Sequence, residues 1–495
     1  MAPLVASNTL NLAAIACAAV AIFFVGKIFY NVFLHPLRSF PGPLLWRITS
    51  LPRYFHLIRG NLPYEVKKLH DKYGPIVRIT PVELSFADPQ AWKDIYGHRH
   101  AGEPELVKYD RFYRAIRNMP RGIINAHREE HTFLRRQLSH GFSERSMQLQ
   151  EPIIGSYVDL LIRRLHERCN GGATALNMRE WLNWTTFDVI GDLGFGSSFG
   201  CLDKSDYHPW VKLVAHTFRQ TAILGALTGM GFPSIVRFIL RIGKLAITDN
   251  QKIVRAKLQQ RIELGVERPD FIEGLIKKKD EGKMNFMQIA SNAGTLIVAG
   301  SETTATLLSG VTFLLTTNPD KLEELTKEVR SAFSNDDEIT LTSVGKLSYM
   351  LACLNEALRV YPPVPTGLPR VSPKGGCFII GQHIPEDAVV AIWQYPINHN
   401  SHFWTEPETF APERFMGDQK FKDDQLDAMQ PFSIGPRNCI GRNLAYAEMR
   451  LILARIIYNF DMTIADDSRG WMKEQKSYNL WHKPALNIYM KPAVR

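Results

Sequence analysis

The chain has 495 residues, is 45% hydrophobic and carries a formal net charge of +10. This length and apolar content are enough for a large buried core, which excludes a mainly disordered protein. The six cysteines are scattered and form no C-x-x-C pair, so neither a disulfide framework nor a zinc site is expected. The charge surplus favours an anionic partner surface, but the basic residues are dispersed and match no nucleic-acid motif. We therefore expect no nucleic-acid partner, and membrane lipid and an acidic protein remain.

The N-terminus is predicted to be a membrane anchor. No charged side chain precedes Lys27, and the apolar stretch continues to Leu34, which gives the roughly 20 residues that a helix needs to cross a bilayer. A signal peptide is the alternative, but the basic segment that should begin one is absent. We expect residues 1–34 to span the membrane. Because Lys27 and Arg38 flank the C-terminal side of this span, the rest of the chain is expected in the cytosol.

The remainder is predicted to be a neck and one large, mainly helical domain with small sheets. Three prolines in His35–Pro43 favour a stiff, extended neck over residues 35–50. Residues 51–495 contain no repeat and no low-complexity linker. Strands are expected within Gly74–Phe86 and Gly375–Trp393, where β-branched residues are frequent. Helices are expected at Ala126–Leu138, Met178–Gly191 and Asn285–Thr316, from Pro319 after an N-cap at Asn318, and up to Tyr361 before Pro362.

One cysteine lies in a highly constrained loop, FSIGPRNCIG, from Phe432 to Gly441. Its five spaced positions have on the order of 10⁻⁴ expected chance matches in a chain of this length. A Gly-Pro bend precedes Cys439 and a predicted helix follows it, so the amides at the helix N-terminus would stabilise a thiolate. Such a thiolate suits a soft metal centre such as haem iron. The alternative is a structural cysteine that packs as a small hydrophobe.

This loop resembles the haem-binding signature of the cytochrome P450 family, the haem-thiolate monooxygenases. Further motifs occur in the family's order, and the stretches Trp181–Gly196 and His35–Pro43 resemble fungal members that act in secondary metabolism. The resemblance implies the cytochrome P450 fold and a haem b whose axial ligand is Cys439. It also implies cofactor-binding positions in the same loop, with Arg437 as a partner of a haem propionate. The other two positions of this kind are Phe432 and Gly441.

A second motif, Ala299–Thr304, lies inside the longest predicted helix. The resemblance implies that Gly300 lets the helix open over the iron, and that Glu302 and Thr303 supply the proton path for dioxygen cleavage. The alternative is a glutamate on a solvated face, with the Thr303 hydroxyl bonded to a carbonyl one turn earlier.

Further charged residues are assigned by the same resemblance. Glu356, Arg359 and Arg414 resemble the family's buried acid–base network, which would hold the cysteine loop in place. His131-x-x-x-Arg135 occurs where the family usually has Trp-x-x-x-Arg. One helix face would carry both side chains to the propionates, against an alternative of ordinary surface residues. Arg370 matches another propionate-contacting position.

The expected activity is insertion of one oxygen atom into a hydrophobic small molecule, a secondary-metabolite intermediate. The glycine-rich stretch Gly191–Gly200 fails the G-x-G-x-x-G spacing, so electrons from NADPH would arrive through a separate cytochrome P450 reductase, with cytochrome b5 as a second candidate donor. Arg128 and Arg136 are candidate reductase contacts, and the endoplasmic reticulum membrane is the expected location. Desaturation, ring closure or phenol coupling is the nearer alternative activity, and a non-catalytic haem-binding membrane protein the distant one. The substrate pocket is expected to draw on Glu103–Asn125, Gly294–Thr303, Val364–Leu368 and residues near Leu480.

Overall fold

The computed structural model describes residues 2–99, 103–114, 120–242 and 246–494. Helices account for most of these residues, as the sequence predicted. Their bounds are α1 Ala2–Phe29, α2 Leu44–Ile48, α3 Leu51–Arg59, α4 Leu62–Tyr73, α5 Pro89–Tyr96, α6 Asp110–Tyr113, α7 Arg128–Ser139, α8 Glu144–Arg168, α9 Met178–Phe195, α10 Cys201–Lys204, α11 Pro209–Gly229, α12 Pro233–Ile242, α13 Ala246–Glu263, α14 Glu273–Asp280, α15 Phe286–Thr317, α16 Pro319–Ala332, α17 Ser348–Val360, α18 Gln394–Asn398 and α19 Arg442–Asn459.

Small sheets flank the helices. The largest has the strand order β1-β2-β8-β5-β3, in which β2 and β8 run parallel and the other neighbours antiparallel. A second sheet has the order β4-β12-β9, and β6–β7 and β10–β11 are hairpins. The strands are β1 Ile76–Thr80, β2 Glu83–Phe86, β3 Val107–Lys108, β4 Ala175–Asn177, β5 Arg370–Val371, β6 Cys377–Ile379, β7 Gln382–Ile384, β8 Val389–Ile392, β9 Phe460–Ile464, β10 Lys476–Tyr478, β11 Leu480–His482 and β12 Asn487–Pro492.

The central helix α15 organises the core, where it packs against α9, α17 and α19. A capping box begins it: the Asn285 side chain accepts from the Gln288 N–H, and the Gln288 side chain accepts from the Asn285 N–H, each at 2.9 Å. The helix is continuous through Gly300, and its expected opening over the iron stays a prediction. The missing side chain accommodates α9, because a Cβ at Gly300 would lie 2.8 Å from Ile190 Cδ1.

The helices and strand regions that the sequence predicted are present in the structure. The expected strands at Gly74–Phe86 are the antiparallel pair β1–β2, and the helix expected to stop before Pro362 is α17. Asn318 does precede α16, but its side chain donates to the Leu314 carbonyl at 2.7 Å and does not cap the helix.

The neck differs from the extended segment that the prolines predicted. Residues 36–39 form a turn and α2 follows. Leu37 and Phe40 are buried in the core beneath the large sheet, and Trp46 is buried in a neighbouring cluster. The Arg78 N–H also donates to the Pro41 carbonyl at 2.7 Å. These contacts make the segment part of the packed domain, because burying its apolar side chains stabilises more than an extended spacer could.

Two helices among the described residues are long and apolar enough to cross a membrane. One is Phe286–Thr317, which is mostly buried and is the core helix α15. The other is Ala14–Leu34, which is almost entirely exposed and lies near the N-terminus. This second helix is a candidate anchor.

Glu448 is a buried acid on α19 that the sequence analysis did not single out. It is 1% exposed, and its Oε1 accepts no hydrogen bond from the described residues. Burial raises the pKa of this carboxyl from 4.5 to about 8. Between these pH values the folded state holds a proton that the unfolded chain releases. The free energy of unfolding therefore falls as the pH rises towards 8.

We predict that Glu448→Gln gains stability relative to the wild type by about 1.4 kcal/mol for each pH unit between pH 5 and 8. Urea unfolding at several pH values measures this difference. Glu323→Gln, at an exposed position on α16, is the matched control and should change the free energy of unfolding little at any pH. A Glu448→Gln difference that stays constant with pH would contradict the assignment.

Candidate functional site

The loop from Phe432 to Gly441 places Cys439 directly before α19. The Cys439 N–H donates to the Phe432 carbonyl at 2.9 Å, and the Asn438 N–H donates to the Gly435 carbonyl at 3.1 Å. Gly435 has φ +74°, and a Cβ there would lie 2.0 Å from the Tyr96 carbonyl oxygen. Only glycine fits this turn, which explains the glycine four residues before the cysteine.

Cys439 is an exposed residue, because part of its surface is open to solvent. Many protein atoms nevertheless lie around its thiol group. Burial raises the pKa of the thiol, while the Gly441 N–H and the charges of Arg135 and Arg442 oppose this rise. A bound metal cation would reverse the balance, since a coordinating thiol is deprotonated. An accessible thiol with these donors around it is therefore suited to metal ligation.

Two of the predicted propionate partners lie together. Arg437 Nε donates to Glu105 Oε1 at 2.6 Å, and its Nη1 donates to the Ala126 carbonyl at 2.9 Å. Arg370 Nη1 lies 3.6 Å from the same Glu105 oxygen and donates to the Leu106 carbonyl at 3.0 Å. The two guanidinium groups thus share one carboxylate, Glu105, which the sequence analysis had placed only among the pocket segments.

His131 and Lys108 join this cluster. His131 is buried, and burial followed by the charges of Arg437, Lys108 and Arg135 lowers its pKa to about 4. Burial, Arg370 and Arg437 also lower the pKa of Lys108. His131 is therefore neutral at physiological pH, and it can donate a hydrogen bond but adds no charge.

The residues present fit a haem. Arg370 and Arg437 supply two guanidinium cations against one carboxylate, Glu105, and Lys108 adds a third basic group that a bound anion would favour in its charged form. The buried Nε of Arg370 has no hydrogen-bond partner among the described residues. A buried donor without a partner is costly, and a dianionic group such as the two haem propionates would satisfy both donors and charge. Together with the accessible Cys439 thiol, this cluster has the donor set that a haem-thiolate centre requires.

Arg135 is differently placed. Its Nη1 and Nη2 donate to the Asn438 carbonyl and the Asn438 Oδ1, each at 2.6 Å. In this arrangement Arg135 holds the cysteine loop, so its expected contact with a propionate stays a prediction. Phe432 packs against Tyr446 of α19 with ring centroids 5.3 Å apart, which braces the other end of the loop.

The two α15 residues assigned to the proton path have separate partners. Thr303 Oγ1 donates to the Ala299 carbonyl at 2.6 Å, the backbone contact that the sequence left open as an alternative. Glu302 is buried, with its carboxylate paired to Lys483 and within 3.4 Å of Asn183 Nδ2. The alternative hypothesis that Glu302 lies on a solvated face is therefore wrong. No local sequence pattern pointed to Lys483, because 181 residues separate it from Glu302.

The predicted acid–base network is present behind the loop. Glu356 accepts two hydrogen bonds from Arg359, from Nε and Nη2, each at 2.8 Å. Arg414 Nε lies 3.3 Å from Glu356 Oε2, and all three side chains are fully buried. Arg359 also donates to three carbonyl groups in the segment before Arg414, those of Asn398, Pro407 and Thr409.

A fourth member, Asp424, was missed. Its carboxylate pairs with Arg414 Nη1 and also accepts from the Thr405 N–H at 2.7 Å, and its side chain is 1% exposed. With two acids and two arginines the network has no net charge, which lowers the cost of burying it. The only sequence signal was an acidic pair, Asp423-Asp424, and nothing there showed which of the two turns inward.

Comparison with known proteins is consistent with this geometry. The family described as cytochrome P450 matches residues 40–491. The chain is 49% identical over 99% of its length to cytochrome P450 monooxygenase tpeC of Talaromyces stipitatus, covering 96% of that protein. It is 44% identical over 95% of its length to trichothecene C-15 hydroxylase of Fusarium sporotrichioides, covering 96% of it. It is 41% identical over 96% of its length to averantin hydroxylase of Dothistroma septosporum, covering 90%.

We predict that Asp424→Asn lowers the free energy of unfolding by about 3 kcal/mol or more, because it leaves Arg414 buried with half of its compensating charge. Urea unfolding of the two neighbouring variants measures this cost. Asp423→Asn is the matched control, since Asp423 is exposed, and its effect should stay within about 0.5 kcal/mol. Equal effects of the two substitutions would contradict the role of Asp424.

Proposed function

Since the chain belongs to the cytochrome P450 family and is a monooxygenase, we propose that Cys439 is the axial thiolate ligand of a haem b and that the enzyme hydroxylates a hydrophobic secondary-metabolite intermediate. The single observation that carries the ligand assignment is the accessible, closely surrounded Cys439 thiol at the start of α19. The bound haem supplies dioxygen activation with two electrons, so that one oxygen atom enters the substrate and the other leaves as water.

The residues around the cofactor position would hold it by charge and by hydrogen bonds. Arg437, Arg370 and Lys108 would neutralise the propionates, with neutral His131 as a further donor. Glu105 already balances one of these cations, so three acidic groups would face three basic ones once the haem is bound. Arg135 and the network of Glu356, Arg359, Arg414 and Asp424 would keep the cysteine loop in position.

Thr303 and Glu302 are proposed to deliver protons during the reaction. The Thr303 hydroxyl can accept a proton on one side and donate on the other, and Glu302 is an ionisable group one position earlier on the same helix. Both lie on α15, which packs against α19, the helix that follows Cys439. Among the described residues no hydrogen bond joins this pair to the cysteine loop, so water molecules would complete the path.

The proposed substrate class follows from the relatives and the predicted pocket segments. Two relatives are hydroxylases by name, one for a trichothecene at C-15 and one for averantin. The segments expected to line the pocket are mostly apolar or small, which favours a hydrophobic molecule. A hydroxylated product is therefore the outcome that we propose for this chain.

The electron donor and the location are also proposals. An NADPH–cytochrome P450 reductase would supply electrons, with cytochrome b5 as a second donor, and α1 would anchor the enzyme in the endoplasmic reticulum membrane with the domain in the cytosol. Arg128 and Arg136 support a docking surface, because both are exposed on α7, the helix whose Arg135 contacts the cysteine loop. An acidic donor surface would complement them.

We predict that the reduced, carbon monoxide-bound wild type shows the red-shifted Soret band of thiolate ligation and that Cys439→Ser loses it, because a serine hydroxyl does not replace the thiolate. With NADPH, a reductase and a panel of hydrophobic intermediates under ¹⁸O₂, the wild type should add one heavy oxygen atom to its substrate. Optical and mass spectra measure the two outcomes.

Cys377→Ser is the control, since Cys377 lies on β6 away from the loop, and it should keep the red-shifted band. A haem-loaded, folded wild type without this band would refute the ligand assignment. A product that loses hydrogen and gains no heavy oxygen would refute hydroxylation.

We predict that Thr303→Ala lowers the product formed per NADPH by roughly tenfold or more, with dioxygen released as hydrogen peroxide, because a positioned proton donor is lost. Thr317→Ala is the matched control: Thr317 Oγ1 makes the same bond to the carbonyl four residues earlier, at 2.8 Å, but lies at the far end of α15. Product, NADPH and peroxide are measured together. Unchanged coupling in Thr303→Ala would exclude Thr303 from the proton path.

A further inference from the structure

Lys483 is a buried lysine that none of the motifs explains. It follows β11 directly and is 5% exposed. Its Nζ donates to Glu302 Oε1 and, at 2.6 Å, to Thr306 Oγ1 one turn further along α15. The second carboxylate oxygen, Oε2, lies 3.4 Å from Asn183 Nδ2 on α9. Side chains from two other elements, α9 and the segment after β11, therefore contact the Glu302 carboxylate, and Thr306 of α15 holds Lys483 in turn.

The pair is enclosed by few other ionisable groups. Burial lowers the pKa of Lys483, and Glu302 opposes this shift. Arg179 on α9 faces the pair as a second cation, although it is already paired with Glu180 at 2.9 Å. Tyr207 and Tyr361 face Glu302 as well, and burial keeps both phenols protonated by raising their pKa. Lys483 is thus the only cation among the described residues in direct contact with the Glu302 carboxylate.

The position of Lys483 in the fold links Glu302 to a predicted wall of the pocket. Leu480, three residues earlier, begins β11 after a turn at Asn479 with φ +75°. The Trp481 Nε1 donates to the Pro362 carbonyl at 2.7 Å, just before the expected pocket segment Val364–Leu368. The hairpin that presents Leu480 therefore also carries the cation that holds Glu302.

We propose that Lys483 is a positioning residue for proton delivery: from the C-terminal hairpin it forms the ion pair that orients the Glu302 carboxylate on α15. The inference rests on the proposed function, in which Glu302 supplies protons. A carboxylate with no cation in this buried setting would bind a proton and turn towards another partner. Lys483 thereby determines both the charge and the direction of the group that relays protons.

The first test reads the charge of Glu302 without turnover. Infrared spectra of the full-length, haem-loaded Lys483→Gln variant at neutral pH should show a band of a protonated, buried carboxylic acid in addition to the band of Glu448 that all variants share. The additional band should be absent in the wild type, in Lys483→Arg and in the double variant Lys483→Gln/Glu302→Gln. Lys476→Gln, at an exposed position of the same hairpin, is the matched control and should match the wild type. No new band in Lys483→Gln would overturn the proposal.

The second test reads proton delivery during turnover. Lys483→Gln should lower product per NADPH roughly tenfold with KM changed by less than about threefold, and Lys483→Arg should restore most of the loss. A purely structural role would leave the coupling intact or would not distinguish arginine from glutamine. Failure of the proposed function is separable, because it shows as a wild type that forms no oxygenated product whatever the infrared result.

If Lys483→Gln does not retain haem, Lys483→Met/Glu302→Met decides the question. Removing both charges should restore folding when the two residues compensate each other. A double variant that folds no better than Lys483→Gln would overturn the pairing.

Discussion

The position of Cys439 depends on contacts that its own loop cannot supply. The loop has little regular structure, and its backbone is closed by short turns within residues 432–441. Its outer contacts come from distant segments: Arg135, which lies 303 residues before Asn438 in sequence, the Ala126 carbonyl that Arg437 reaches, and the Tyr96 carbonyl packed on Gly435. A metal ligand must be held within about 0.5 Å of its working position. Each of these contacts restricts the loop from a different direction, so the position of Cys439 is a property of the whole domain.

Buried charge is organised in the same way on both sides of the cofactor position. Behind the loop, Glu356 and Asp424 balance Arg359 and Arg414, and on α15 Glu302 balances Lys483. Paired charges in a low-dielectric interior keep their orientation, because moving one partner away leaves the other buried without an opposite charge. Near the predicted propionate positions the charges do not cancel, because basic groups outnumber carboxylates there. Local neutrality thus distinguishes the parts that support the cysteine loop from the part where we propose that the haem propionates bind.

The sequence predicted what short-range patterns encode. The helix α15 is a long, mostly apolar segment, and α19 directly follows the cysteine loop. Glu356 and Arg359 lie three residues apart on one helix, so each of these features was visible in the local sequence. Lys483, Asp424 and Glu105 were not assigned, because each acquires its partner only when distant segments pack together. The contact of Arg135 with Asn438 was also not foreseen, since helix periodicity gives the face of a side chain but not the group it meets. The neck was expected to be extended because prolines restrict φ, whereas the burial of Leu37 and Phe40 decided its actual path.

The pairing of Glu302 with Lys483 also has a consequence for synthesis of the chain. The ribosome makes α15 before the C-terminal hairpin, because 181 residues separate the acid from its cation. A carboxylate is costly to bury in its charged form without a partner, so the ionised form of Glu302 can be packed as it is in the structure only after Lys483 has been made.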